Sequence, residues 1–145
     1  VIAVDEVLRL FVEGTPIPQG SKTAYVVGKR AVIVDANKDA LKPWRDRIRA
    51  AAEVHFRGPR LEDVAVVVIA EFRMPRPKSV KRIYPHVKPD VDKLLRAVLD
   101  ALTDAGVWKD DGQVVSATPS KVYSDRPGVL VRVGRHTPNR EKEIA

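Results

Sequence analysis

Val64-Ala-Val-Val-Val-Ile-Ala-Glu-Phe-Arg-Met74 is the stretch on which the fold turns. Its β-branched, almost continuously apolar character predicts a strand at the centre of a sheet. Downstream, Pro75, Pro77, Pro85 and Pro89 punctuate an extended loop. Val91, Leu94, Leu95, Val98, Leu102 and Ala105 then recur at helical spacing, which predicts a helix from Val91 to Ala105 that closes at Gly106. Val114–Tyr123 and Val129–Val133 read as two more strands, the second reached through Arg126-Pro127-Gly128. Upstream, Leu8–Val12 reads as a strand that stops at Gly14. Ala24–Val27 and Ala31–Val34 flank Gly28-Lys29-Arg30 as a hairpin. A helix follows from Pro43 to Phe56, with Trp44, Ile48, Ala51 and Ala52 on one face, and Gly58-Pro59 ends it. Strands and helices mix without regular βαβ alternation. That predicts an α+β fold with a small mixed, largely antiparallel sheet and two main helices. One domain is expected over residues 1–145, with about 137–145 as a frayed tail.

Composition narrows the function. The 145 residues include no Cys and three His, so a disulfide framework and a thiolate zinc site are excluded. No apolar run approaches the roughly 20 residues of a membrane-spanning helix. Asp5 and Glu6 interrupt the first apolar residues, a poor pattern for a secretion signal. The expected location is the cytoplasm of a bacterium, or of a bacterium hosting a phage. The formal charge of +7 points to a polyanionic partner. Its distribution is uneven. No acid lies between Glu71 and Asp90, while Arg73, Arg76, Lys78, Lys81, Arg82 and Lys88 all do. These six, with Lys121 further along the chain, are candidate contacts to DNA phosphates, which position a duplex without reading its sequence. The alternative is an ordinary solvated loop. Tyr84 in the same loop suits either packing or stacking on an unpaired base.

The residues with the most chemical content are Asp90-Val-Asp92-Lys93 and Asp110-Asp111. Asp90 stands where a helix N-cap belongs, and Asp92 falls in the first turn, where the helix dipole favours a negative charge. Asp92, Arg96 and Asp100 are spaced for i,i+4 ion pairs on a solvated face. Those roles alone explain the residues structurally. A chemical role requires the two acid pairs to meet. The helix spans roughly 21 Å at about 1.5 Å per residue, and the six residues from Ala105 to Asp111 can retrace roughly 20 Å if fully extended. A chain doubling straight back would therefore bring Asp111, with Asp110 beside it, towards Asp90 and Asp92. Such an all-oxygen cluster suits Mg²⁺, with Mn²⁺ as substitute. Beside a DNA surface, an ion there would polarise a scissile phosphate. Lys93, Arg96 and Lys121 are the candidate groups for stabilising charge in the transition state.

The run Asp90-Val-Asp92-Lys-Leu94-Leu-Arg96-Ala-Val-Leu-Asp100-Ala-Leu102-Thr-Asp-Ala-Gly106-Val-Trp108-Lys-Asp110-Asp111-Gly-Gln113-Val114 resembles the core motif of the RusA family of Holliday junction resolvases. Gly14-Thr-Pro16-Ile-Pro18, Trp44-Arg45, Lys121 and Pro127-Gly128-Val129 are also similar to that family. The resemblance implies a homodimeric, metal-dependent endonuclease that nicks opposed strands of four-way DNA junctions in recombination and repair. It implies that Asp90, Asp92 and Asp111 bind the metal and that Asp110 is the family's paired acid. Two departures stand out: Lys93 replaces a common Asn, and Arg96 replaces the family's catalytic Lys. Arg keeps the charge but holds its proton at ordinary pH. Two other readings stay open: a nuclease of the same chemistry acting on other branched DNA, and a non-catalytic or regulatory module that binds branched DNA.

Overall fold

The computed structural model describes residues 4–20, 22–35 and 37–136; the tail expected over 137–145 lies outside them. In chain order the elements are β1 (Val4–Glu13), β2 (Lys22–Val27), β3 (Arg30–Asp35), α1 (Lys38–His55), β4 (Val66–Met74), α2 (Val91–Asp104), a 3-10 turn at Asp111–Gln113, β5 (Val114–Tyr123) and β6 (Gly128–His136). β1, β6, β4 and β5 form a four-stranded sheet in that order. β2 and β3 pair separately. β6 runs antiparallel to both β1 and β4, while β5 runs parallel to β4 at the edge. The architecture is the expected α+β arrangement with a mixed sheet.

Alternation explains how the sheet holds the helices. Leu8, Leu10 and Val12 of β1, Val66, Val68, Ala70, Phe72 and Met74 of β4, and Val129, Val131 and Val133 of β6 are all buried. Successive strand residues point to opposite faces, so these side chains share one face of the sheet. Against them lie Trp44, Ile48 and Ala52 of α1 and Leu94, Ala97, Val98, Ala101 and Leu102 of α2. β4 sits inside the sheet as its sequence predicts, but its apolar run is covered on one side only. Ile69 is 42% exposed, because both helices pack on the same face. The open face carries charge instead: Arg73 pairs with Glu71 at 3.0 Å and lies over the Phe11 ring.

The hairpin forms where expected but projects as its own two-stranded sheet, with Tyr25, Val26, Val27 and Ile33 exposed. α1 begins before Pro43, which lies inside its second turn and forfeits one backbone hydrogen bond there. The segment after β1 is built for close approach. Gly14 has φ 135°, and a Cβ there would lie 2.8 Å from Nη1 of Arg47 and 3.2 Å from Cζ3 of Trp44. Its N–H donates to the Pro127 carbonyl at 3.0 Å. From there the chain crosses to α2, where the Gln19 N–H donates to the Lys93 carbonyl at 3.0 Å.

Candidate active site

α2 is strongly amphipathic, and its buried stripe fixes which side chains face outward. Asp90 occupies the N-cap with extended backbone, yet its carboxylate makes no capping hydrogen bond. Nζ of Lys93 lies 3.7 Å from Oδ2 of Asp90, a loose pair with the carboxylate side chain half exposed. Asp92 and Arg96 are exposed and line a shallow hollow with Gln19, Gly20 and Lys93. The i,i+4 pairs expected among Asp92, Arg96 and Asp100 do not form among the described residues. Asp100 instead accepts a short hydrogen bond from Nε2 of Gln19. Lys121 reaches from β5 under the start of α2. Its Nζ donates to the Val87 and Pro89 carbonyls at 2.6 and 2.8 Å, which fastens the loop leading to Asp90.

The second acid pair lies elsewhere. Trp108 is buried, and its Nε1 donates to Oγ1 of Thr103 at 2.8 Å and lies 3.3 Å from Oδ1 of Asp111. Thr103 Oγ1 makes a short contact with the same Oδ1. Thr103 is near the C-terminus of α2, eleven positions after Asp92, which is roughly 16 Å along the axis. Among the described residues, no three His, Cys, Asp or Glu side chains come close enough to hold a metal ion. The expected return of Asp111 to Asp90 and Asp92 within one chain is therefore corrected. The reason is local. Val107 and Trp108 do not retrace the helix as an extended strand; they bridge sideways to Leu61, whose N–H donates to the Val107 carbonyl at 2.9 Å and whose carbonyl accepts from Lys109 N at 3.2 Å.

Asp110 is consumed by structure as well. It caps the 3-10 turn, accepting from Gly112 N at 2.8 Å, while Oε1 of Gln113 accepts from Asp110 N at 3.0 Å. Nε2 of Gln113 continues to the carbonyls of Leu61 and Val64, both at 3.2 Å. Six aspartates lie between positions 90 and 111, and they divide cleanly. Asp100 is held by Gln19, Asp104 by Arg45 at 2.9 Å, and Asp110 by its own turn. Asp92 takes no hydrogen bond or ion pair among the described residues, Asp90 only the loose one to Lys93, and Asp111 keeps Oδ2 unengaged while Oδ1 is held.

The candidate phosphate contacts also divide. Arg76 is exposed but folds back on its own loop: its guanidinium donates to the carbonyls of Val80, Arg82 and Ile83 and lies 4.2 Å over the Tyr123 ring. Arg82 donates to the Tyr123 hydroxyl at 2.7 Å. These two, with Arg73 on the open sheet face, shape the protein. Lys78, Lys81 and Lys88 remain exposed, without ion-pair partners among the described residues. Tyr84 is 62% exposed rather than packed. Sequence reasoning missed Gln19 as the brace for Asp100 and Gln113 as the staple of the turn; a Gln three residues after an N-cap Asp was the available signal for the second. The carboxyls held below their usual range are elsewhere: Glu6 through Arg132 and then Arg9, Asp46 through Lys42, and Glu62 through Arg60.

A model of the family "Endodeoxyribonuclease RusA" matches residues 13–134. The chain is also 30% identical over 143 residues to the "Uncharacterized protein YqaN" of Bacillus subtilis (strain 168), a match covering 87% of this chain and 94% of that protein. The family match spans both helices, the whole loop between β4 and α2, and β4, β5 and most of β6, but only Glu13 of β1, so it takes in each residue of the site described above. This chain belongs to the RusA endodeoxyribonuclease family.

Proposed function

We propose that the protein is a metal-dependent endodeoxyribonuclease that resolves four-way DNA junctions as a homodimer. The observation that carries this reading is the division of the aspartates. The fold spends three on its own architecture and leaves Asp90, Asp92 and one oxygen of Asp111 unspent. Unspent carboxylates beside exposed lysines on a chain of net charge +7 suit phosphate chemistry.

The donor set fits a hard cation. Mg²⁺ is typically held by one or two carboxylates, with water and substrate phosphate completing its shell. Asp90 and Asp92 supply two such groups from a single chain, and Mn²⁺ accepts the same oxygen donors. An ion there would polarise the scissile phosphate and lower the cost of charge on the attacking and leaving oxygens. The chain's own residues do the rest. Lys88 and Lys93 neutralise phosphate charge at the start of α2. Arg96, one turn further on, clamps phosphate without exchanging a proton. Lys93 is the local group able to pass a proton to the leaving oxygen as the phosphorus–oxygen ester bond breaks and water adds to phosphorus. Lys121 positions Asp90 through the loop carbonyls rather than touching substrate.

Asp111 enters through the dimer. In a two-fold assembly with the α2 helices side by side and antiparallel, the C-terminal end of one helix meets the N-terminal end of the other. Asp111 of each chain then serves the Asp90–Asp92 pair of its neighbour. Two such sites match the two equivalent strands of a junction. A second reading follows from the separation of the acids within one chain: a module that binds branched DNA without cutting it. A labelled four-way junction, linear duplex and flap, each incubated with the protein and Mg²⁺, separate the possibilities. Paired nicks on the junction that disappear in Asp92→Asn support resolution. Tight junction binding with no cleavage by either protein supports the binding module.

A further inference from the structure

A cleft of about 600 Å³ opens beside the acid pair, between the Thr15–Pro18 segment, the loop from Pro75 to Pro89, and the start of α2. Its size lies within the roughly 300–1,000 Å³ typical of small-ligand sites. Its walls are apolar and rich in rings: Pro16, Ile17, Pro18, Pro85 and Val87, with Met74 and Tyr123 deeper in. Pro16, Pro18 and Pro85 are buried, which makes these walls stiff and already formed. The loop wall is braced from within by Arg76 and from below by Lys121.

The rim has the opposite chemistry. Arg82, Lys88, Lys93 and Lys121 line the same cleft, with Asp90 as its one carboxylate. Arg82 and Lys121 are spent on Tyr123 and on the loop carbonyls, leaving for a ligand Lys88 and Lys93, the latter engaged only by its loose 3.7 Å pair with Asp90. An apolar interior behind an unspent cationic rim selects a ligand with a flat apolar body and an anionic group at one end. We infer that this cleft receives a single unstacked nucleotide, its base between the proline-rich walls and its phosphate at Lys88 and Lys93. The inference deepens the nuclease reading and rests on it for why such a nucleotide is presented there. Enzymes that do chemistry on a base extrude it from the duplex, and the energetic cost of leaving the stack is least where pairing is already interrupted, as at the centre of a four-way junction.

The test begins without DNA cleavage. The full chain, labelled with ¹⁵N, is titrated with dAMP or dTMP and, separately, with deoxyribose 5-phosphate and inorganic phosphate. The expected result is that the nucleotides shift the amides of Ile17, Asn37 and Val87, whereas phosphate alone shifts only those at Lys88 and Lys93. Val87→Trp, at a half-exposed loop position that tolerates bulk, fills the cleft and should weaken the nucleotide response at least tenfold, with the spectrum of the sheet unchanged. In parallel, the Asp92→Asn protein is bound to a four-way junction carrying 2-aminopurine at each position within two nucleotides of the crossover. A several-fold fluorescence rise at one position, lost with Val87→Trp in the same background at saturating protein, is expected. Identical shifts from phosphate and nucleotide would overturn the inference. So would a junction bound tightly with flat fluorescence at every position, an outcome that leaves the nuclease reading standing. A fluorescence rise with wild-type protein that never cleaves would uphold the nucleotide cleft and remove the nuclease reading instead.

Discussion

On the proposed reading of a site shared between two chains, mixing Asp92→Asn with Asp111→Asn, each inactive alone, should restore cleavage. Two oxygens bound to one Mg²⁺, at roughly 2.1 Å each, lie at most about 4 Å apart. Asp111 is held beside Thr103, eleven positions after Asp92 on α2, so the two are separated by roughly 16 Å along the helix. Side chains that each reach only a few ångströms do not close that gap, and Trp108 and the bridge to Leu61 hold Asp111 in place. A shared ion therefore requires a second chain. Asp92→Asn and Asp111→Asn homodimers each have two damaged sites. In a mixed dimer both lesions fall in one site, and the other is assembled from intact residues of both chains. Random exchange makes about half of the dimers mixed, each with one working site, so nicking should return to about a quarter of the wild-type level. The products should be single nicks rather than paired ones. The assay is single-turnover cleavage of an end-labelled junction after subunit exchange, with exchange verified by two differently tagged chains. No nicking by the verified mixture, while each parent still binds the junction, would refute the shared site. Full activity of Asp111→Asn alone would refute any role for that carboxylate.

Four further outcomes follow from the geometry. Removing Lys78 and Lys81 together should reduce the slope of log affinity against log salt by about 1.8, two phosphate contacts' worth; Arg76→Ala, whose guanidinium is used inside the loop, should instead lower the melting temperature with little change in slope. Asp110→Ala should cost about 0.5–2 kcal/mol in urea denaturation through loss of the capping box, with Mg²⁺ affinity by calorimetry unchanged. Gly128→Ala drives a Cβ into the Val12 carbonyl and the Phe11 ring, so about 1–3 kcal/mol of stability should be lost. Glu6, hydrogen-bonded by Arg132 and Arg9, titrates below its ordinary 4.5; its contribution to stability is complete above that value and disappears as pH falls through the lowered one, which a carbon-detected NMR titration of its carboxyl would show as a midpoint below 4.5.

Periodicity made most of the fold legible. Strand and helix positions follow from side-chain alternation along β1, from the nearly continuous apolar run of β4 and from the apolar stripe of α2, although β1 and α1 begin at Val4 and Lys38, ahead of the expected Leu8 and Pro43. Periodicity does not say how many faces of a sheet are covered. The run from Val66 to Ala70 reads as buried on both sides, and Ile69 is nonetheless exposed because both helices pack on one face. Nor does a count of positive charges distinguish a phosphate contact from a brace. Arg76 and Lys78 look alike in sequence, but only Arg76 has a fork of donors that satisfies several loop carbonyls at once.

The candidate site shows the same limit more sharply. Reach along an extended chain allowed Asp111 to approach Asp90, but reach is only an upper bound. What decided its position was the most favourable use of the apolar pair before it: Val107 and Trp108 are fully buried against the core beside Leu61, which is worth a few kcal/mol for two such side chains. Retracing the helix at full extension would have forgone that local burial to gather mutually repelling carboxylates. Within one chain, burial therefore keeps the acids apart. Bringing them together requires a gain that one chain lacks, either contact between two copies or the charge of a cation bound between them. On the proposed reading both arrive with the junction and the dimer, so the complete acid cluster belongs to the assembled enzyme rather than to the folded chain alone.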